Sequence, residues 1–229
     1  MAGEVKRGNS MSKWFEGKKT VLEASQLMLQ KGLVVGTFGN VSLRLPPEEG
    51  RQLLAITPNR RYYDLLTVDD IQVIDFEGEP VEGDLVPSIE TMLHIGIYQT
   101  RENVNAVIHT HSVFASVLAV AGLEIPPILD DQVTFLGGEI KLAKYALPGS
   151  QELVENVLAA LGERNAVLLP HHGAVGVGRT MREALTACEL VEKTAKIYFC
   201  ALTLGKANPL PAEAIKTEKA FFELWQKGG

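Results

Sequence analysis

Between Lys18 and Gln30 the apolar residues Val21, Leu22, Ala24, Leu27 and Met28 fall near one helical stripe, and Gly32 supplies a stop. The pattern predicts an amphipathic opening helix. The period then shortens: Val41, Leu43 and Leu45 alternate with Ser42 and Arg44, and Leu53 to Ile56 and Ile71 to Ile74 are short apolar runs bounded by Pro, Asn, Asp or Gly. These read as strands. A helical pattern returns from Ser88 to about Arg101. Ala106 to Ile108 then forms a compact strand ending in histidine, and VFASVLAVAG is entered from it as a helix. A strand is predicted over Ile140 to Ala143, and a helix over Gln151 to Leu161 with Ser150 as N-cap. Ala166 to Leu169 and Ala174 to Val177 bracket a turn holding His171, His172 and Gly173. A long helix from Met181 to about Leu204 and a last one over Ala212 to Gln226 complete the chain. Phe221, Phe222 and Trp225 make that last helix aromatic enough to close over a site or pack on a neighbour, with core packing as the default.

Strands and helices mix throughout, with no internal repeat and no long Gly-rich linker. The expectation is one α/β domain over residues 13–229, its helices covering a sheet, preceded by a disordered tail over residues 1–12. With 229 residues, 46% of them apolar, one substantial core can be buried. The 22 Lys and Arg against 28 Asp and Glu leave a net charge of −6, which argues against a nucleic-acid footprint. The longest apolar run, Val113 to Leu123, is well short of the roughly 20 residues a membrane span needs. The first residues have no apolar stretch resembling a secretory signal. Cys188 and Cys200 lie twelve apart in one helical pattern, about 18 Å at the helical rise, too far to bridge. A reducing cytoplasm is therefore expected.

The five histidines fall in two clusters: His94, His109 and His111, and then His171 and His172. In His109-Thr110-His111 the two imidazoles project to one side of an extended segment, half of a tetrahedral metal site. Alternatively, each is a polar strand terminus. The His171-His172-Gly173 turn offers a third nitrogen, and Gly173 would allow a close backbone approach there. Three neutral imidazoles leave a zinc ion one open position, as catalytic sites do. Glu90 opens the helix that carries His94. It is either an acid complementing the helix dipole or a proton-moving carboxylate whose pKa a partly apolar pocket raises. Gly36-Thr37-Phe38-Gly39-Asn40 is a loop that either binds an anion or simply turns the chain.

Taken in order, GTFGNVSLR, ITPNRRYYDL, PSIETMLHIGIYQ, VNAVIHTHS and VLLPHHGAVGVG resemble the class II aldolase/adducin family over about residues 18 to 205. The resemblance implies a three-layer α/β/α fold with a central, largely antiparallel sheet, and commonly a homotetramer. It implies that His109, His111 and His172 bind a divalent metal, usually zinc, with manganese, cobalt or iron as alternatives, and that Glu90 is the catalytic acid/base. The implied activity is retro-aldol cleavage of a small ketose phosphate of fuculose-1-phosphate type to dihydroxyacetone phosphate and an aldehyde, the metal stabilising the enediolate. His171 matches no ligand position and is expected behind the ligands or at the core edge. His94 is expected to have a structural role.

In phosphate-handling members a Gly-Asn loop, a Ser/Thr-Gly pair after Thr-Pro and two serines before the glutamate hold the phosphate. Thr37, Gly39, Asn40 and Ser88 match that pattern, whereas Asn59 and Arg60 follow the Thr-Pro and Ile89 replaces the second serine. Arg60 adds a long cation suited to clamping a phosphate or a carboxylate. By register with Gly137 and Gly138, Asp131 stands where fuculose-phosphate aldolases carry a tyrosine, and Asp130 and Asp131 are candidates for a related acid role from a neighbouring subunit. The same scaffold hosts sugar-phosphate epimerases, which carry aspartate where Glu90 stands, decarboxylases, and adducin-like scaffold domains that lack the intact metal triad.

Overall fold

Helix α1 (Phe15–Gln30) buries Val21, Ala24 and Met28, the three-to-four-residue spacing that turns one stripe inward. It starts three residues before the predicted Lys18. The computed structural model describes residues 12–228. The predicted tail therefore lies, up to residue 11, outside the described residues.

Among the described residues there are eight strands, all but β4 on the alternations and apolar runs: β1 (Asn40–Glu48), β2 (Arg51–Ile56), β3 (Gln72–Asp75), β4 (Pro80–Glu82), β5 (Ala106–Thr110), β6 (Lys141–Leu142), β7 (Ala166–Leu169) and β8 (Gly173–Gly178). They form one sheet in the order β4-β3-β2-β1-β5-β8-β7-β6. Every neighbouring pair is antiparallel except β6 with β7. The remaining helices are α2 (Thr91–Thr100), α3 (Val113–Val120), α4 (Asp130–Leu136), α5 (Gln151–Leu161), α6 (Met181–Thr203) and α7 (Ala212–Gly228).

Because successive strand residues face opposite sides, each apolar run feeds two cores. On one face Val41, Ala55 and Ile108 pack with α1 and α6, and Leu168 and Ala174 pack with α3, α4 and α6. On the other, Leu54, Val107 and Val175 pack with α2 and α5. The result is the expected three-layer α/β/α arrangement.

The Ser150 hydroxyl accepts from the Leu153 amide, the cap the sequence predicts, and Thr180, which the pattern did not single out, does the same for Glu183. At α3 a distant residue supplies the cap. The Glu192 carboxylate on α6 accepts from the Phe114 and Ala115 amides. Neither α4 nor β4 was predicted. Helix α4 has only seven residues, too few for a clear helical period, and β4 is a three-residue edge strand. On α7, Phe222 is buried as expected, but Phe221 is exposed. Among the described residues no helix is long and apolar enough to cross a membrane.

Candidate metal centre

His109 is the last residue but one of β5, near the middle of the sheet, paired with Asn40 on β1 and with Val175 on β8. Its imidazole faces the α2 side. Nδ1 lies 3.0 Å from the Ala174 carbonyl oxygen, to which it donates, so Nε2 is left with a bare lone pair. His111 follows immediately, its amide bonded to the Leu33 carbonyl and its ring stacked on Phe38 at 5.6 Å. His172 sits in the β7–β8 turn, where the backbone at Gly173 runs so close to β5 that a Cβ there would stand 2.0 Å from the Thr110 oxygen. The expected close approach at Gly173 is thus present.

The three Nε2 atoms converge: His109 to His172 is 3.2 Å and His109 to His111 is 2.9 Å. A ligand nitrogen from each of the three lies within 4.8 Å of the others. Metal–nitrogen bonds of about 2.0–2.1 Å in a tetrahedral frame call for separations of this order. Burial, followed by the neighbouring His109, pushes the His111 and His172 imidazoles down to about 3 and about 4, so both are neutral and ready to ligate near neutral pH.

Glu90 stands at the start of α2 but caps nothing. Its carboxylate turns inward, only 4% of the residue exposed. Oε2 accepts from Asn40 Nδ2 at 2.8 Å and lies 3.3 Å from His109 Nε2. Oε1 is 3.7 Å from His172 Nε2 and has no hydrogen-bond partner among the described residues. An orphaned, buried carboxylate oxygen beside three converging imidazoles is what a cation site requires. The sequence expectation of a raised carboxyl pKa is corrected here. Burial does push it up, but the charge that the His109 and His172 rings carry when protonated, together with the Asn40 amide, outweighs burial and holds it below the usual carboxylate range.

Thr37, Gly39, Asn40, Asn59, Arg60, Ser88, Glu90, His111 and His172 all border one cavity of about 720 Å³. Gly39, at φ +77°, is packed against the sheet: a Cβ there would lie 2.6 Å from the His109 carbonyl oxygen. Tyr63 fixes this loop by donating to the Gly39 oxygen at 2.5 Å. The second wall forms where Pro58 and Pro87 bridge and the Asn59 amide bonds the Val86 oxygen. Ser88 Oγ accepts from the Glu90 amide at 3.3 Å, leaving its proton free to donate. Ile89, 60% exposed, lines the same space. Arg60 adopts φ +53°, so the arginine keeps the left-handed backbone that glycine favours while its side chain stays exposed at the rim.

Several candidates lie elsewhere. His171, at φ +56°, is exposed and meets Tyr145 edge-on at 5.9 Å; it is neither behind the ligands nor at the core edge. Asp131 opens α4 and pairs with Lys193. A second cavity of about 470 Å³ beside α7 is bordered by Arg164 and Lys219, both already paired with Glu139.

Residues 19–199 match the family described as Class II Aldolase and Adducin N-terminal domain. The chain belongs to that family. Among its relatives is the 5-deoxy-D-ribulose 1-phosphate aldolase of Bacillus thuringiensis serovar kurstaki, 31% identical over 206 residues, which are 90% of this chain and 95% of the relative. The 5-methylthioribulose-1-phosphate/5-deoxyribulose-1-phosphate aldolase of Rhodospirillum rubrum is 37% identical over 86% of each chain. Among solved structures, an L-fuculose 1-phosphate aldolase superposes with a TM-score of 0.85 at 32% identity, covering 94% of this chain and 100% of its own.

Proposed function

We propose that this protein is a divalent-metal-dependent aldolase that cleaves a ketose 1-phosphate of fuculose or deoxyribulose type to dihydroxyacetone phosphate and an aldehyde. The observation that supports this most is Glu90, a buried carboxylate with one unpaired oxygen, set where the nitrogens of three histidines meet. His109, His111 and His172 would hold zinc, or manganese, cobalt or iron in its place. Bound there, the ion supplies positive charge that stabilises the negative charge developing on the substrate's carbonyl and hydroxyl oxygens.

In cleavage the C3–C4 bond breaks, the C4 hydroxyl gives its proton to solvent to become the aldehyde oxygen, and the bonding pair stays with C3. Glu90 moves the proton at C3: in cleavage it takes a proton from solvent and delivers it to C3, and in condensation it removes that proton and returns it. A carboxylate held ionised suits the removing half of that cycle. We assign the phosphate contacts to Thr37, Gly39, Asn59 and Ser88, to the second N–H of Asn40, and to the Arg60 guanidinium as a charged clamp. The assembly is taken to be a homotetramer, whose contacts would cover apolar side chains such as Val113 and Val120, exposed in the single chain. Cys188 and Cys200 are unpaired, which suits a reducing cytoplasm.

Arg60 also favours a second reading, in which it grips a carboxylate and the reaction is a decarboxylation. The test is to supply the metal-loaded protein with 5-deoxyribulose 1-phosphate and L-fuculose 1-phosphate, and separately with hydroxy-keto acids. Dihydroxyacetone phosphate release supports the aldolase; CO₂ release from an acid, with no cleavage of either phosphate, overturns it. A chain that takes up no metal and turns over neither class is a scaffold of the adducin kind.

A further inference from the structure

The face of β1 that meets α2 is polar where a core face would ordinarily be apolar. Asn40, Ser42 and Arg44 alternate along the strand and so point to one side. Glu90, His94 and Tyr98, each four residues apart, run along the facing stripe of α2. The two rows interlock. Tyr98 Oη is 2.6 Å from Ser42 Oγ, Ser42 Oγ is 2.6 Å from His94 Nδ1, and His94 Nε2 is 2.5 Å from Asn40 Oδ1. Asn40 Nδ2 then reaches Glu90 Oε2 at 2.8 Å. Ser42 and His94 are wholly buried and Tyr98 nearly so. A buried polar file is costly unless its members are paired, and here every link from Tyr98 to Glu90 Oε2 is made, leaving only Glu90 Oε1 unpaired at the end that faces the histidines.

The direction of the protons follows from one end. The Glu90 carboxylate only accepts, so Asn40 turns its NH₂ to Glu90 and its carbonyl oxygen to His94. That oxygen needs a donor, which places the His94 proton on Nε2. Nδ1 is then bare and accepts from the Ser42 hydroxyl, whose oxygen accepts from Tyr98. The opposite tautomer would reverse the amide and set its carbonyl oxygen against the carboxylate.

We propose that His94, as the Nε2–H tautomer backed by Ser42 and Tyr98, is a positioning residue that locks the Asn40 amide and through it holds the Glu90 carboxylate at the metal-ligand nitrogens. This goes beyond the structural role expected from the sequence, because the ring's contribution is a directed donor rather than volume. Only the kinetic arm of its test rests on the aldolase reading.

The full-length, zinc-loaded protein labelled with ¹⁵N-histidine answers the first question by NMR, the His94 signals being assigned by their absence in His94→Gln. The expected result is a protonated Nε2 and a bare Nδ1. A protonated Nδ1 with a bare Nε2, or a doubly protonated ring, overturns the proposal. In the second arm, kcat for ketose 1-phosphate cleavage is compared at equal zinc content. His94→Leu is expected to lower kcat by about ten- to a hundredfold, the scale of a misplaced reacting group, with a smaller change in KM. His94→Gln, which keeps a donor towards Asn40, recovers most of the loss. Equal kcat in the two variants would mean that the ring serves only to fill space. Should the wild type cleave no ketose phosphate, or His94→Leu not fold, the tautomer alone decides.

Discussion

Glu90 Oε2 lies 3.3 Å from His109 Nε2, although the two residues come from a helix start on one layer and a strand end in the sheet. The carboxylate is therefore a partner of the imidazoles and not of its own helix. Glu90→Gln keeps the shape and the Asn40 contact region but cannot shuttle a proton. Turnover is expected to fall at least about a hundredfold, the usual scale for a positioned base, with zinc retained. Dihydroxyacetone phosphate release beside elemental analysis checks both halves; unchanged turnover would remove Glu90 from the chemistry.

His109→Ala and His172→Ala each leave two imidazoles where a stable catalytic site needs three protein ligands. Both variants are expected to purify folded and without stoichiometric metal. Full zinc occupancy in either, measured after dialysis, would show that the three nitrogens do not share one ion.

The buried His94 ring has its pKa pushed down to about 3 by desolvation, against an ordinary value near 6.5. The unfolded chain thus takes up a proton that the folded chain refuses, and stability is fully present above about pH 6.5 and declines below it. The slope is at most about 1.4 kcal/mol per pH unit from this residue. Urea midpoints of the metal-free protein at pH 7, 6 and 5 should fall in that order. Equal midpoints at pH 7 and pH 5 would contradict it.

Arg60 holds a left-handed backbone that costs a non-glycine residue roughly 1–2 kcal/mol. Arg60→Gly and Arg60→Ala both remove the cation, so both should raise KM for a ketose 1-phosphate by about tenfold or more, the worth of a charged hydrogen bond. Only the glycine relieves the backbone, and its melting temperature should exceed that of the alanine variant. An unchanged KM in both would place the guanidinium outside the substrate site.

At Gly39 an added methyl would meet the His109 carbonyl oxygen at 2.6 Å and Val34 Cγ1 at 2.7 Å, at a positive φ as well. Gly39→Ala is expected to lower the melting temperature and weaken zinc binding together, since the loop and the ligand strand must separate. Normal zinc affinity in a destabilised protein would uncouple the two.

Periodicity made the layers legible: the alternation at Val41, Leu43 and Leu45 and the runs ending in His109 and Leu169 became strands, with helices where the stripe was clear. Histidine clustering, read with the family resemblance, pointed to the three imidazoles that converge. What pattern reading could not reach was direction. Ser42, polar in an alternating strand, looks solvent-facing by period alone, yet it is fully buried because α2 presents His94 and Tyr98 to it. Glu90 was ambiguous for the same reason, since a helix-start acid reads alike whether it faces water or histidines. The sign of its pKa shift depended on those neighbours and was missed.

His109 and His172 are 63 positions apart, and they meet only because β5 and β8 zip together through Ala106 with Gly178 to Thr110 with Ala174. Bringing such distant segments together carries a loop-closure cost that neighbouring contacts do not. The nitrogens of His109 and His172 share one nest only once the two central strands stand in register, so the centre is a product of the closed sheet and not of either strand alone.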